Sequence, residues 1–289
     1  MWIFLAFAAA IFAGITAILA KIGIRDTDSN MATAIRTVVI LGFTWLMVFI
    51  VGSQNTITQI NNRTLLFLVL SGLATGGSWL CYFKALQLGD VNKVTPIDKS
   101  STVLTIILSF IFLGETVTIF KLIGMIAIGV GTLMMITKKN ISPEQAHHEK
   151  GWMLFAVLSA VFAALTAILG KVGIDGVESN LGTAIRTVVV LIMAWMIVIG
   201  SGKIGELRRI DKKSWLFLCL SGITTGLSWL CFYGALKQGE PSIVVSIDKH
   251  SIVLTIAFSY LFLKEKLRLK SFAGLCLVVI GTLTLLIRA

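Results

Sequence analysis

The stretch Val94–Glu115, VTPIDKSSTVLTIILSFIFLGE, returns 150 residues later as Val244–Glu265, VVSIDKHSIVLTIAFSYLFLKE. Each copy opens with an Asp-Lys pair and continues as an apolar run long enough for a helix. Ionisable groups are costly inside a membrane, where they usually face a bundle interior or a water-filled cavity. The repeat therefore predicts two membrane-spanning helices, each with a charged pair about one turn inside. These pairs are Asp98 with Lys99 and Asp248 with Lys249.

The composition extends this prediction to the whole chain. Of its 289 residues, 56% are apolar and only 13% are charged, which is far from the balance of a soluble domain. Continuous apolar runs recur along the chain, and each is long enough to cross about 30 Å of hydrocarbon as a helix. The ten predicted spans are 2–24, 31–52, 64–86, 94–114, 121–137, 152–174, 181–201, 215–236, 243–263 and 271–287.

The two halves of the sequence are copies of one unit, which align without a gap at an offset of 150 residues. Each copy holds five predicted spans, so the copies cross the membrane in opposite directions. The sequence predicts an all-α, polytopic membrane protein with ten transmembrane helices in two inverted five-helix repeats, a plan found in many secondary transporters. The repeats are residues 1–139 and 151–289, and a polar cytoplasmic linker at 140–150 joins them.

The net charge of +11 reflects basic loops rather than a nucleic-acid-binding surface. Cytoplasmic loops of membrane proteins carry an excess of Lys and Arg, and fourteen basic residues fall on one predicted side against four on the other. The richer side is therefore predicted to be cytoplasmic, and both termini are predicted outside. The four on the poorer side are Arg63, Lys121, Lys237 and Arg288.

Three motifs resemble one known family. They are AxFAxxTAILxKxGI from Ala10, SGxxTGxSWLC from Ser71, and LGDVNKVTPIDKSS…LGE from Leu88. Together they resemble the EamA-type repeat of the drug/metabolite transporter superfamily, here in the form of two small bacterial or archaeal five-helix units fused in tandem. The resemblance implies a ten-helix carrier of small organic solutes in the cytoplasmic membrane. It does not imply which solute is carried, in which direction, or with which coupling ion.

The matched charges suggest a pair of gates. We hypothesise that Arg36 or Lys21 pairs with Asp98 when the inner mouth of a transport pathway is closed, and that the equivalent groups pair at the outer mouth. Two alternatives stay open: permanent ion pairs that fix helix packing, with lysines reaching the interface, and direct contact with the solute. The inner cluster is Lys21, Arg36, Asp98 and Lys99, and the outer cluster is Lys171, Arg186, Asp248 and Lys249.

Proton coupling would need a desolvated carboxyl group or a histidine. Asp98 and Asp248 are the acidic candidates, and His250 is the histidine that falls inside a predicted span, where the other copy has Ser100. The alternative for His250 is a bond from its ring to a backbone carbonyl near the start of a helix.

The third span of each copy combines small, hydroxyl and aromatic residues. Small residues let helices in lipid approach closely, whereas the hydroxyl and indole groups are candidates for substrate binding. The excess of basic over acidic groups in the spans favours an anionic or zwitterionic solute. The predicted binding residues are Thr75, Ser78, Trp79, Thr225, Ser228 and Trp229, and the glycines predicted to pack the fifth span against the tenth are Gly124, Gly129, Gly131, Gly274 and Gly281.

Neither copy contains a nucleophile with a base, a pair of carboxylates at helical spacing, or cysteines at metal-ligand spacing, so we expect no enzyme activity, no cofactor and no metal. We predict a secondary transporter of a small-molecule solute that is embedded in lipid, is monomeric or homodimeric, and is driven by the substrate gradient or by protons. Two alternatives are a flippase for a lipid-linked sugar and a non-transporting membrane scaffold.

Overall fold

The computed structural model describes residues 1–25, 27–89, 91–116, 118–135, 143–248, 250–263 and 269–285, without the side chains of 91, 92, 96, 99, 143–150, 258, 259, 262 and 263. Apart from two short 3-10 helices, Ser53–Gln59 and Lys203–Arg209, the regular structure in these ranges is α-helical. The α-helices are α1 Trp2–Gly23, α2 Ser29–Val51, α3 Asn62–Leu88, α4 Val91–Lys99, α5 Ser101–Phe112, α6 Ile119–Met135, α7 Pro143–Ile174, α8 Ser179–Gly200, α9 Lys212–Gln238, α10 Pro241–Asp248, α11 Ser251–Leu263 and α12 Leu269–Leu285.

Six helices in the described part of the chain are long and apolar enough to cross a membrane, namely α1, α2, α3, α7, α8 and α9. Helices α6 and α12 match the fifth and tenth predicted spans, and the described part of each has 17 residues, or about 25 Å at 1.5 Å per residue. Most of the predicted linker is also helical, because residues 143–150 form the first two turns of α7. Residues 140–142 lie outside the described ranges.

The fourth and ninth spans, predicted as continuous helices, are each divided in two. Helix α4 gives way to α5 at Ser100, whose backbone N–H and hydroxyl both donate to the carbonyl of Ile97, at 3.1 and 2.6 Å. In the second copy the N–H of His250 donates to the carbonyl of Ile247 at 2.9 Å, and its ring Nδ1 lies 3.1 Å from the same oxygen. The bond from the His250 ring to a carbonyl is thus the arrangement that the structure adopts. Because a serine holds this turn in one copy and a histidine in the other, the sequence repeat did not reveal that the two helices are divided.

The largest helix interfaces join the two halves. Helix α3 packs against α7 and, in the equivalent contact, α9 packs against α1, while α2 pairs with α8 and α6 with α12. Both of the larger buried clusters mix residues from the two copies; one contains Ala20 and Leu218, the other Leu68 and Ile174. The two copies therefore form a single bundle rather than two separate domains.

Contacts at the helix ends show that the copies run in opposite directions. Asp28, which caps the N-terminus of α2, forms an ion pair with Lys203, which follows the C-terminus of α8. The start of α2 therefore lies beside the end of α8. Burial alone would raise the pKa of Asp28, but hydrogen bonds from Lys203 and from two backbone N–H groups outweigh it and leave this pKa below its usual value. The pair consequently stays ionised at neutral pH.

Helices α6 and α12 touch backbone to backbone along a glycine seam. A Cβ atom placed on Gly131 would lie 2.6 Å from the carbonyl oxygen of Gly274, and one on Gly124 would lie 2.7 Å from that of Gly281. No side chain fits at such distances, which confirms the predicted packing role of these four glycines. The prediction is wrong for Gly129, because a Cβ placed there would have Val103 Cγ2 of α5, at 3.9 Å, as its nearest neighbour and not an atom of α12.

This difference within one helix gives a matched test. We expect Gly131→Ala to lower the free energy of unfolding by about 1–3 kcal/mol, because the added methyl group overpacks the seam. Gly129→Ala introduces the same methyl group where space exists and should leave the free energy of unfolding unchanged or raise it by up to about 1 kcal/mol, because Ala favours a helix over Gly. Unfolding by SDS in mixed micelles measures both variants, and equal destabilisation would contradict a close helix contact at Gly131.

Candidate functional site

A cavity of about 210 Å³ lies at the centre of the bundle, between the two halves. Most of its wall consists of matched positions from the two copies, so it follows the internal symmetry of the chain. The matched pairs are Ala13 with Ala163, Thr16 with Thr166, Thr75 with Thr225, Ser78 with Ser228, Trp79 with Trp229, Tyr82 with Phe232, Phe83 with Tyr233, and Asp98 with Asp248. The wall also includes Ala17, Ala20, Arg36 and Thr255.

The structure brings the six predicted substrate contacts of α3 and α9 together in this cavity. The indole rings of Trp79 and Trp229 meet across it with their centroids 4.7 Å apart. The hydroxyl groups of Ser78 and Ser228 donate to the carbonyls of Ser159 and Ala9, at 3.0 and 2.9 Å, so these serines also fasten each half to the other. Whether the six residues bind a solute stays a prediction.

The aspartates lie deeper than the sequence suggested. Asp98 was expected about one turn inside its helix, but α4 begins at Val91, so seven residues, or about 10 Å of helix, precede it. Asp248 is likewise the last residue of the eight-residue helix α10. Both aspartates therefore line the same central cavity, whereas the sequence had suggested that they lie at opposite mouths of a transport pathway. The short first half of each divided helix is what carries them inward.

Arg36 is held by hydroxyl groups of the other half. Its side chain is only 1% exposed, and its Nε and Nη2 donate to Ser221 Oγ and Thr225 Oγ1 at 2.7 and 2.8 Å. Its Cζ lies 4.5 Å from the ring centroid of Phe83 and 5.4 Å from that of Trp79. Aromatic faces attract a guanidinium group, so the rings contribute to its burial.

Arg186 occupies the equivalent place in the second copy. It is fully buried, its Nη2 donates to Thr75 Oγ1 at 2.6 Å, and its Cζ lies 4.1 Å from the ring centroid of Tyr233. Each arginine thus binds the other repeat. In this conformation the ion pairs of the described residues include neither arginine, and Asp98 Oδ1 instead accepts a bond of 2.7 Å from Ser159 Oγ. The exchange of Arg–Asp pairs between conformations remains a hypothesis.

The structure describes the side chains of two of the four lysines that were predicted to take part in gating. Lys21 Nζ donates to the carbonyl of Leu86 and Lys171 Nζ to that of Leu236, both at 2.9 Å. Each lysine thus places a positive charge at the C-terminal end of a helix, where it is favourable. The side chain of Lys99 and the whole of Lys249 lie outside the described part of the structure.

Sequence reasoning missed several wall residues. Thr16 and Thr166 lie on α1 and α7, and Tyr82, Phe83, Phe232 and Tyr233 lie one turn beyond the tryptophans on α3 and α9. The signal that could have found the aromatic residues is their spacing, since positions three and four residues after Trp79 or Trp229 share its helix face. The role of Ser159 had no such signal, because its counterpart is Ala9.

Comparison with known proteins agrees with this architecture. A model of the EamA-like transporter family matches residues 1–137 and again residues 150–287. The chain belongs to the EamA-like transporter family. The resemblance inferred from the motifs is confirmed, and the protein is a multi-pass membrane protein of a transporter family.

Three relatives of this EamA-like transporter are themselves named as uncharacterized transporters. One from Sinorhizobium sp is 46% identical over 136 residues, which is 47% of this chain and 96% of the relative, so it corresponds to one repeat. YxxF of Bacillus subtilis (strain 168) is 26% identical over 76% of this chain and 69% of its own length. An Archaeoglobus fulgidus relative is 26% identical over 79% of this chain and 78% of its own length.

A crystal structure of another protein shares the fold. It superposes with a TM-score of 0.76 over 100% of this chain and 99% of that one, at 15% sequence identity. This similarity extends to both repeats of the EamA-like transporter and to the way they pack together.

The hydroxyl partners of the arginines should be essential for the stability of the EamA-like transporter. Thr225→Val keeps the side-chain volume but removes an acceptor from Arg36, and hydrogen bonds to charged groups contribute about 1.5–3 kcal/mol. We expect a loss of unfolding free energy in that range, measured by SDS unfolding in mixed micelles. Thr284→Val is the control, because among the described residues the hydroxyl of Thr284 donates to the carbonyl of Ile280 in its own helix and to no other group. A similar loss there would refute the assignment.

Proposed function

We propose that the protein is a secondary transporter that moves a small organic solute across the cytoplasmic membrane of a bacterium or archaeon by alternating access around the central cavity. The observation that carries this proposal is the position of the cavity. It lies between two oppositely directed repeats and is lined by matched residues of both. Secondary transporters built from inverted repeats bind their substrates at this kind of interface.

The divided helices support the same proposal. Breaks in membrane-spanning helices are tolerated where the exposed backbone lines a cavity or is buried in protein, and they accompany substrate sites in several transporter folds. Here each break lies within two residues of an aspartate of the cavity, Asp98 or Asp248. A few residues at each break could change their backbone angles and move one half-helix relative to the other.

The size of the cavity favours a small solute. Its 210 Å³ is less than the roughly 300–1,000 Å³ of pockets that hold drug-sized ligands. The wall offers aromatic faces, hydroxyl groups, two carboxylates and one guanidinium. Such a surface suits a compact polar metabolite with an apolar portion.

The ten-span topology is also part of the proposal. The four helices that result from the two breaks would form two discontinuous spans, α4 with α5 and α10 with α11, beside eight uninterrupted ones. The excess of basic loop residues on the side that contains Lys203 would place that side in the cytoplasm. Both termini would then lie outside.

One end of the bundle carries a latch between the halves. Lys121 of α6, 4% exposed, bonds Glu115 at 3.1 Å and Glu240 of the other repeat at 2.8 Å. Glu115 also accepts a bond of 3.3 Å from the backbone N–H of Ser242, near the start of α10. In the proposed topology this is the outer end, and opening the cavity there would require the pairs to separate.

Transport can be tested with a variant that fills the cavity. Ala13 lines it, so Ala13→Phe should reduce solute flux at least tenfold, because the phenyl group occupies the space of the solute. Ile11 is 50% exposed on the same helix, and Ile11→Phe should leave the flux within about twofold of wild type. The assay is uptake of labelled anionic, cationic, zwitterionic and neutral metabolites into proteoliposomes. Wild-type flux no greater than that of empty liposomes for every class would refute the transporter proposal.

The topology can be tested by single cysteines in a cysteine-free background. We expect a membrane-impermeant maleimide added to intact cells to label a cysteine at Gln59, between α2 and α3, and not one at Gly205, between α8 and α9. Permeabilised cells should label both sites. The opposite pattern in intact cells would invert the orientation, and labelling of both would contradict the antiparallel arrangement of the repeats.

A further inference from the structure

The two aspartates of the cavity do not have equivalent surroundings. Asp98 Oδ1 accepts a hydrogen bond of 2.7 Å from the hydroxyl of Ser159. The position equivalent to Ser159 in the first copy is Ala9, which has no hydroxyl group. Within the described ranges, no donor lies at hydrogen-bond distance from the carboxylate of Asp248. The symmetry of the fold thus leaves Asp248 without the partner that Asp98 has.

The two arginines differ in a complementary way. Arg36 borders the cavity, whereas Arg186 does not. With Nε and Nη2 of Arg36 engaged by Ser221 and Thr225, its Nη1 has no partner although the side chain is almost completely buried. Arg186 also has unpartnered nitrogens, Nε and Nη1, but it lies behind the wall residues Thr75 and Tyr233 rather than in the wall itself. Arg36 is therefore the arginine that can offer a donor to a solute.

We propose that the cavity binds a zwitterionic solute in one orientation, with its anionic group on Arg36 Nη1, its ammonium group on Asp248, and its apolar body against Trp79 and Trp229. The proposal rests on the transporter function proposed above and specifies its substrate class. A buried donor left without a partner, such as Arg36 Nη1, is costly, and the partly exposed carboxylate of Asp248 lines the same cavity. A solute with both charges satisfies both groups at once.

A solute with a single charge would satisfy only one of the two groups. An anion would leave Asp248 without a partner and would add a negative charge to a wall that already carries two carboxylates. A cation would leave Arg36 Nη1 unpaired and would add a positive charge to the same cavity. Charge-assisted hydrogen bonds are the stronger ones in a site of low dielectric. Selectivity for zwitterions over either single-charge class therefore follows from the asymmetry of the wall.

Three probes with one aromatic body separate these cases: phenylalanine, phenylalanine amide, which lacks the carboxylate, and 3-phenylpropionate, which lacks the ammonium group. The matched aliphatic series is leucine, leucine amide and 4-methylpentanoate. Binding is measured by the thermal shift of the detergent-purified full chain. In at least one series, we expect the zwitterion to bind at least tenfold more tightly than both singly charged relatives.

Substitutions at the two groups should remove this selectivity separately. In Arg36→Gln the zwitterion should lose its advantage over the amide, and in Asp248→Asn it should lose its advantage over the carboxylic acid. The symmetry mates Arg186→Gln and Asp98→Asn are the comparison variants, and each should change the order of affinities less than the substitution with which it is matched. If Asp98→Asn and Asp248→Asn changed the order equally, the assignment of one oriented site would be wrong.

Two exchanges between alanine and serine test the proposal if Arg36→Gln does not fold. Ala9→Ser supplies the hydroxyl that Asp248 lacks and should weaken zwitterion binding several-fold, whereas Ser159→Ala removes the partner of Asp98 and should not weaken it. No effect of Ala9→Ser, or wild-type binding of singly charged probes as tight as that of zwitterions, would overturn the inference. If no zwitterion of either series binds while proteoliposomes carry a solute of another charge class, the inference fails and the transporter function stands.

Discussion

Two guanidinium groups at the centre of a membrane bundle are the constraint on which the rest of the structure depends. A charged side chain in this position must be paired or hydrogen-bonded, because water is not available to solvate it. Arg36 finds its hydroxyl partners on α9 and Arg186 finds its partner on α3. Neither half of the chain could bury its arginine alone. The requirement ties the repeats together and places the hydroxyl and aromatic residues of α3 and α9 around one cavity.

Close contacts of α3 and α9 with the helices that carry the arginines support this arrangement around the cavity. Gly72 and Gly222 lie against the carbonyl oxygens of Arg186 and Arg36, where an added Cβ would be 2.9 and 3.2 Å away. The small residues of α3 and α9 thus allow these helices to approach the very turns that carry the arginines. The seam between α6 and α12 is a separate contact, which packs backbone against backbone without lining the cavity. It joins the halves while the helices around the cavity carry the polar groups.

Departures from the internal symmetry are informative because the fold itself is symmetric. Ser100 and His250 differ in chemistry but make the same turn, so that difference leaves the backbone unchanged. The exchange of Ala9 for Ser159 instead alters which aspartate has a hydroxyl partner. Lys121, whose counterpart is Ser271, adds an ionic latch at one end. The first departure preserves structure. In the proposed mechanism, the second would orient the solute and the third would distinguish the two ends of the pathway.

The sequence by itself determined the helical membrane class, the duplication, the family and the six residues of α3 and α9 that were predicted to bind a solute and that meet in the cavity. These features can be read from the sequence without knowledge of packing, because they rest on local or pairwise signals: hydropathy, an ungapped offset of 150 residues and repeated motifs. The tertiary structure alone decided that the Asp98 and Asp248 helices are divided and how deep these aspartates lie. A turn held by Ser100 or His250 has no pattern in hydropathy, because both flanking segments stay apolar. The tertiary structure also decided the partners of Arg36 and Arg186, since the hydroxyl groups that bind them lie some 110 to 190 positions away along the chain. Such distant partners become neighbours only through packing.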